Sequence, residues 1–126
     1  MAVEVKAPTL AALFEEAARG AFALAEGELS DGVRERPHLS LQEEDEALLL
    51  RRFLAELLYW YDAERFFTTG VVIRSVTRNA LEADIEGVRV EHGPLPKIPM
   101  KAVTYHNLSA QQEENGDWVA TLVFDV

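Results

Sequence analysis

The chain has 126 residues and a mass of 14.1 kDa, the size of one ordinary domain, and its 48% hydrophobic content suits a packed globule and excludes global disorder. It contains no cysteine, which excludes thiolate metal sites, thiol nucleophiles and disulfides and fits a cytoplasmic location. Twenty-two acidic against twelve basic residues leave a net charge of −10, so phosphate backbones repel the chain; stand-alone nucleic-acid binding is not expected, whereas cations or a basic partner protein are easily accommodated.

No apolar run approaches the ~20 residues that cross a bilayer, and no basic start leads into an apolar stretch as in a secretory leader. Neither a membrane nor export is expected. Residues 2–6 alternate like the end of a strand. Thr9 is placed to cap a helix, and Leu10, Leu13, Phe14, Ala17, Ala21 and Leu24 follow at spacings of three and four, which predicts an amphipathic helix ending near Gly27. Val33 to Leu41 reads as one strand, irregular at Pro37. The acidic run Glu43-Glu44-Asp45-Glu46 suits the positive end of a helix dipole better than a metal site. The helix it opens carries Leu49, Phe53, Leu54, Leu57, Leu58 and Tyr61 on one apolar stripe and ends near Arg65. Tyr59 and Trp60 cannot both share that stripe, so one is left for an interface.

The period then changes to that of strands. Val71-Val72-Ile73 opens a strand, Arg78-Asn79-Ala80 is a turn, and Leu81, Ala83 and Ile85 alternate with Glu82, Asp84 and Glu86. Gly87 marks a bend. Residues 91–99, with Gly93, Pro94, Pro96 and Pro99, form a stiff loop; residues 101–110 read as a strand; Asn115-Gly116 is a hairpin turn. Trp118 to Val126 is a final strand, apolar on both faces and therefore central. The sum is a single α+β domain over residues 1–126, a two-layer sandwich with two helices on one face of a mostly antiparallel sheet of five to six strands.

Two segments could carry chemistry. In Lys101-Ala-Val-Thr-Tyr-His106, alternation places Lys101, Val103 and Tyr105 on one face and Ala102, Thr104 and His106 on the other. This is either an ordinary polar strand face or a site in which Lys101 meets an anion, such as phosphate, with His106 in support. At the end of the chain, Asp125 lies beside the terminal carboxylate of Val126. Either Asp125 is simply solvated, or the two negative groups share a hard cation such as calcium or magnesium. His38, His92 and His106 show no metal-helix spacing, and there is no phosphate-cradling glycine loop, dinucleotide turn or nucleophile elbow.

Lys101-Ala-Val-Thr-Tyr-His106-Asn-Leu108 resembles the signature of the archease family. Leu54-Ala-Glu-Leu-Leu-Tyr59-Trp-Tyr-Asp62-Ala-Glu64 looks like that family's second helix, Thr9 to Ala17 like its first, and Trp118 to Val126 like its last strand. The resemblance runs through the chain in order. It implies a small acidic accessory protein, not an enzyme, that helps load guanylate onto the GTP-dependent RNA-splicing ligase and supports its multiple turnover in tRNA splicing. It also implies a divalent cation, typically calcium, with Asp125 and the carboxylate of Val126 as ligands, Lys101 as the activating lysine and His106 as the motif histidine. The family's His-Thr-Ala-Asp-type segment, which supplies a further metal-binding Asp, has no counterpart before Ala2, so a weakened cation site and an exposed sheet edge favouring homo-oligomers are expected. The alternative is a chaperone-like interaction module that docks through Tyr59 or Trp60.

Overall fold

The computed structural model describes residues 1–126. In chain order it contains β1 (Ala2–Ala7), α1 (Leu10–Ala23), β2 (Gly32–Glu35), β3 (His38–Gln42), α2 (Glu46–Glu64), β4 (Phe66–Val76), β5 (Ala80–Val90), β6 (Ala102–Val103), β7 (Ser109–Gln112) and β8 (Trp118–Asp125). The α+β class and the antiparallel pairing agree with expectation. The single sheet of five to six strands does not: eight strands form two four-stranded sheets.

The sheets share one plan. Each has a long central strand with a continuous strand on one side and two short strands, end to end, on the other. In the first sheet β8 runs between β1 and the pair β6 and β7; in the second, β5 runs between β4 and the pair β2 and β3. Arg36 and Pro37 divide the strand expected over 33–41, since proline has no amide for the ladder. The Pro37 carbonyl still accepts from the Ile85 amide at 2.9 Å, which keeps both pieces on β5.

Helix pattern explains why one sheet became two. The buried residues of α1 are Leu13, Phe14, Ala17, Ala18, Ala21 and Phe22; those of α2 are Leu49, Leu50, Phe53, Leu54, Leu57 and Leu58. Both sets follow i, i+1, i+4, i+5, i+8, i+9, twice the width of a single stripe. Accordingly α1 touches β1 and β8 of the first sheet and β4 of the second, and α2 touches β6 and β7 as well as β3, β4 and β5. The helices meet through Phe14 and Phe53, ring centroids 5.4 Å apart. Residues of both sheets and both helices join one core.

Local signals set the helix ends. Thr9 caps α1 by accepting from the Ala12 amide at 3.1 Å. Asp45 caps α2 by accepting from the Leu48 amide at 2.9 Å, which places the acidic run at the helix start, as expected, and adds a cap to its dipole role. Arg65 closes α2 in the left-handed region, φ 56°. Two expectations need correction. β4 begins at Phe66, not Val71, because bulges between Thr68 and Gly70 and between Ile73 and Ser75 break its alternation. Gly87 is not a bend: β5 runs straight through it, and a Cβ there would lie 2.4 Å from Phe66 Cζ, so glycine makes room for that ring.

Candidate functional site

The end of the chain is tied into the first sheet from both sides. Phe124 is buried and exchanges two hydrogen bonds with Met1, each 2.8 Å: its amide donates to the Met1 carbonyl, and the Met1 ammonium donates to its carbonyl. On the other side, the Lys101 amide donates to the Asp125 carbonyl and the Thr104 amide to the Val123 carbonyl, both at 2.8 Å. Strand β8 is thus central, and its last turn of pleat brings together the chain start, the chain end and the lysine segment.

Register fixes where the side chains go. Ala102 faces Asp125 and Val103 faces Phe124, while Lys101 lies just outside this ladder and reaches it through its amide, bonded to the Asp125 carbonyl. In an antiparallel ladder facing residues share a side of the sheet. The Asp125 side chain therefore leaves on the outer face with Ala102. Asp125 and Lys101 are both exposed, and the main-chain bond sets Lys101 next to Asp125 at the end of the sheet.

His106 is not where strand alternation placed it. Strand β6 stops at Val103, and residues 104–108 turn before β7 begins. The Thr104 hydroxyl accepts from the His106 amide at 3.1 Å, and Asn107 adopts φ 50°, a left-handed conformation that asparagine tolerates. The turn thereby exposes Tyr105 and His106 together, and the expected division of Tyr105 and His106 between two faces fails. Arg51 of α2 braces this turn. Its Nε donates to the Val103 carbonyl at 3.3 Å, and its guanidinium lies 3.9 Å from the centre of the Tyr105 ring. Nothing in the local sequence pairs Arg51 with Tyr105; only the packing of α2 against β6 does.

As cation donors, the tail offers the carboxylates of Asp125 and Val126. No group of three or more His, Asp or Glu side chains gathers there or elsewhere as a metal site. Calcium takes six to eight oxygens, so the residues present do not by themselves amount to a calcium cage.

A charged cluster that the sequence reading overlooked lies on the outer face of the second sheet. His38 of β3 places Nδ1 2.9 Å from Asp84 Oδ1 and Nε2 2.8 Å from Glu82 Oε2, both on β5. Ser40 donates to Glu82 at 3.1 Å, and Arg74 of β4 donates to Asp84 at 2.7 Å. The hydrogen bonds to Asp84 and then Glu82 raise the His38 pKa above its ordinary 6.5; the bond from His38 holds both carboxyls below their ordinary range, with Arg74 adding to the effect on Asp84 and Ser40 to that on Glu82. The wet face Glu82, Asp84, Glu86 was visible as alternation, but its partner on β3 was not. A cavity of about 480 Å³ lies between α1 and β4, away from the tail.

Of the aromatic pair on α2, Tyr59 is the exposed member, at 61%, while Trp60 packs edge-on against Phe66 with centroids 5.7 Å apart. Tyr61 is half-buried and donates its hydroxyl to the Pro96 carbonyl at 2.8 Å. No helix is long and apolar enough to cross a membrane.

Comparison with known proteins agrees with this geometry and with the motif resemblance. The model of the Archease protein family (MTH1598/TM1083) matches residues 1–126. The chain is 33% identical to a Thermococcus gammatolerans protein archease over 122 residues, 94% of this chain and 86% of that protein. It is 28% identical to the Archaeoglobus fulgidus protein archease over 128 residues, covering all of this chain and 92% of that protein. The solution structure of Methanobacterium thermoautotrophicum protein 1598 superposes with a TM-score of 0.69 at 25% identity, covering 99% of this chain and 91% of that one. The crystal structure of a Thermotoga maritima archease, described as a possible chaperone, shares the fold with a TM-score of 0.66 at 20% identity, covering all of this chain and 90% of that one. A match across all 126 residues, with close agreement in fold, establishes that the chain belongs to the archease family.

Proposed function

We propose that this chain is an accessory protein, not itself a catalyst, of a GTP-dependent RNA-splicing ligase, and that it promotes guanylylation and repeated turnover of that enzyme. The observation that carries the reading is the hydrogen bond between the Lys101 amide and the Asp125 carbonyl, which sets the main chain of the lysine beside that of the acidic tail at one sheet end, with Lys101, Asp125 and Val126 all exposed. In the proposed complex the tail enters the ligase's nucleotide site. There Lys101 meets a phosphate with its mobile ammonium, and His106, on the exposed turn after β6, supports it. A divalent cation, calcium by the family resemblance, would be held by Asp125 and the Val126 carboxylate, with its remaining oxygens drawn from water or from the partner. The net charge of −10 favours docking on a basic, RNA-binding surface.

The test is ligase turnover with the wild-type chain and with Lys101→Ala and Asp125→Ala. Both positions are exposed, so both variants are expected to fold and to lose stimulation. If both stimulate as well as wild type, the assigned roles are wrong. Calorimetric titration with calcium, alone and with the ligase present, checks the cation: tighter binding in the complex is expected, and equal, negligible binding in both would remove it.

The second reading is a chaperone-like interaction module. Tyr59, exposed on α2, favours it. Protection of unrelated aggregating proteins without ligase stimulation, lost in Tyr59→Ser, would select this reading over the first.

A further inference from the structure

Strand β1 has β8 on one side and no strand on the other. Its six residues pair with β8 without a bulge, from Ala2 opposite Val123 to Ala7 opposite Trp118, and none of the six is a proline. The reciprocal bonds between Met1 and Phe124 set the phase of the ladder. Since alternate residues turn their main-chain groups to opposite edges, Val3, Val5 and Ala7 address β8, whereas Ala2, Glu4 and Lys6 leave amide and carbonyl on the open edge. Such an edge is a template for another strand.

We propose that this edge pairs with the same edge of a second copy of the chain, antiparallel about a twofold axis at Val5. Charge selects the register. Outward-facing residues must meet outward-facing residues, so the axis falls on Val3, Glu4, Val5 or Lys6. Centring on Glu4 or Lys6 sets like charges against each other, and centring on Val3 pairs Glu4 only with Ala2. Centring on Val5 sets Glu4 opposite the partner's Lys6 and Lys6 opposite the partner's Glu4, two cross-strand ion pairs on hydrogen-bonded positions. On the inner face the same register brings Val5 to Val5 and Val3 to Ala7. An apolar groove of about 260 Å³ runs beside them, lined by Val3, Val5, Leu24, Met100 and Phe124, and Leu24, 50% exposed at the end of α1, is available for cover. The two first sheets then become one continuous sheet. Lys6 also bonds Glu113 of its own chain at 2.9 Å, which leaves it between two carboxylates in the dimer. The surface lies across β8 from Lys101, so the inference stands apart from the ligase reading.

Sedimentation velocity over a concentration series tests it. The wild-type chain is expected to dimerise. Glu4→Lys and Lys6→Glu each create like-charge pairs and are expected to weaken the dimer roughly tenfold or more. The double variant, with both charges exchanged, is expected to dimerise again. The two single variants mixed together are expected to form a heterodimer, since one then carries two lysines and the other two glutamates. Amide exchange supplies a check that needs no variant: the Glu4 and Lys6 amides should slow as wild-type concentration rises. A wild-type monomer throughout, a dimer indifferent to both single changes, or Glu4 and Lys6 amides that exchange freely at every concentration would each overturn the proposal.

Discussion

Arg51 reaches from α2 to the turn after β6, where its guanidinium lies 3.9 Å from the centre of the Tyr105 ring while its Nε donates to the Val103 carbonyl. Lys101 and His106 flank this short segment, and under the proposed function the arginine would act as a positioning residue for both. It fixes the turn to the helix, and the strand ladder fixes Lys101 to Asp125.

Arg51→Ala removes a hydrogen bond and a cation–π contact together, at a cost of about 1–2 kcal/mol. Thermal melting should show that modest loss, whereas ligase stimulation at a temperature where the variant is fully folded should fall further. Arg51→Lys keeps the charge without the planar fork and should recover only part of it. Stimulation that follows the folded fraction alone would reduce Arg51 to a structural role.

Phe124 joins the core to the tail, buried among its neighbours and bonded twice to Met1. Phe124→Ala should destabilise the chain by about 3–5 kcal/mol, as expected for an aromatic ring removed from a packed core. Chemical denaturation measures it through a lower midpoint at unchanged slope. A change below 1 kcal/mol would mean that the end of β8 is looser than its hydrogen bonds imply.

Gly87→Ala tests why a glycine stands in the middle of β5. The added Cβ would meet Phe66 Cζ at 2.4 Å and the Phe67 carbonyl oxygen at 2.5 Å, and a main-chain oxygen cannot move aside like a flexible side chain. A loss of about 1–3 kcal/mol is expected. Pairing the change with Phe66→Leu should recover part of it if the ring is the main obstacle.

The His38 cluster gives the chain a pH-dependent brace between β3 and β5. The histidine's folded pKa lies above its ordinary 6.5, so its contribution is complete below that value and is lost as pH rises through the folded pKa. The carboxyls of Glu82 and Asp84 are lowered, so theirs is complete above the ordinary 4.5 and 3.8 and is lost as pH falls through the folded values. The brace is therefore strongest between these limits and fades above pH 6.5. All three groups face solvent, so screening keeps the effect small. Melting temperature against pH should lose this slope in His38→Gln, and an identical profile in both proteins would count against the brace.

Sequence alone determined the parts that depend on neighbours along the chain. Thr9 was legible as a helix cap because a cap bonds an amide three residues away, and the acidic run Glu43 to Glu46 marked the start of α2, although Asp45 as its cap emerged only in the structure. The alternation in β5, the Asn115-Gly116 turn and the apolar last strand were legible for the same local reason, and the run from Lys101 to Leu108 carried the family. Tertiary structure decided what depends on residues far apart. It showed that doubled stripes on two helices separate two sheets, that Pro37 and the 104–108 turn split an edge strand in each, and that β4 starts early behind its bulges. It also decided that His106 leaves the strand, that His38 meets Glu82 and Asp84, and that Lys101 lands beside Asp125. Periodicity says which face of an element is apolar, but the partner of that face, and the register at which two strands meet, follow from the packing of the whole chain.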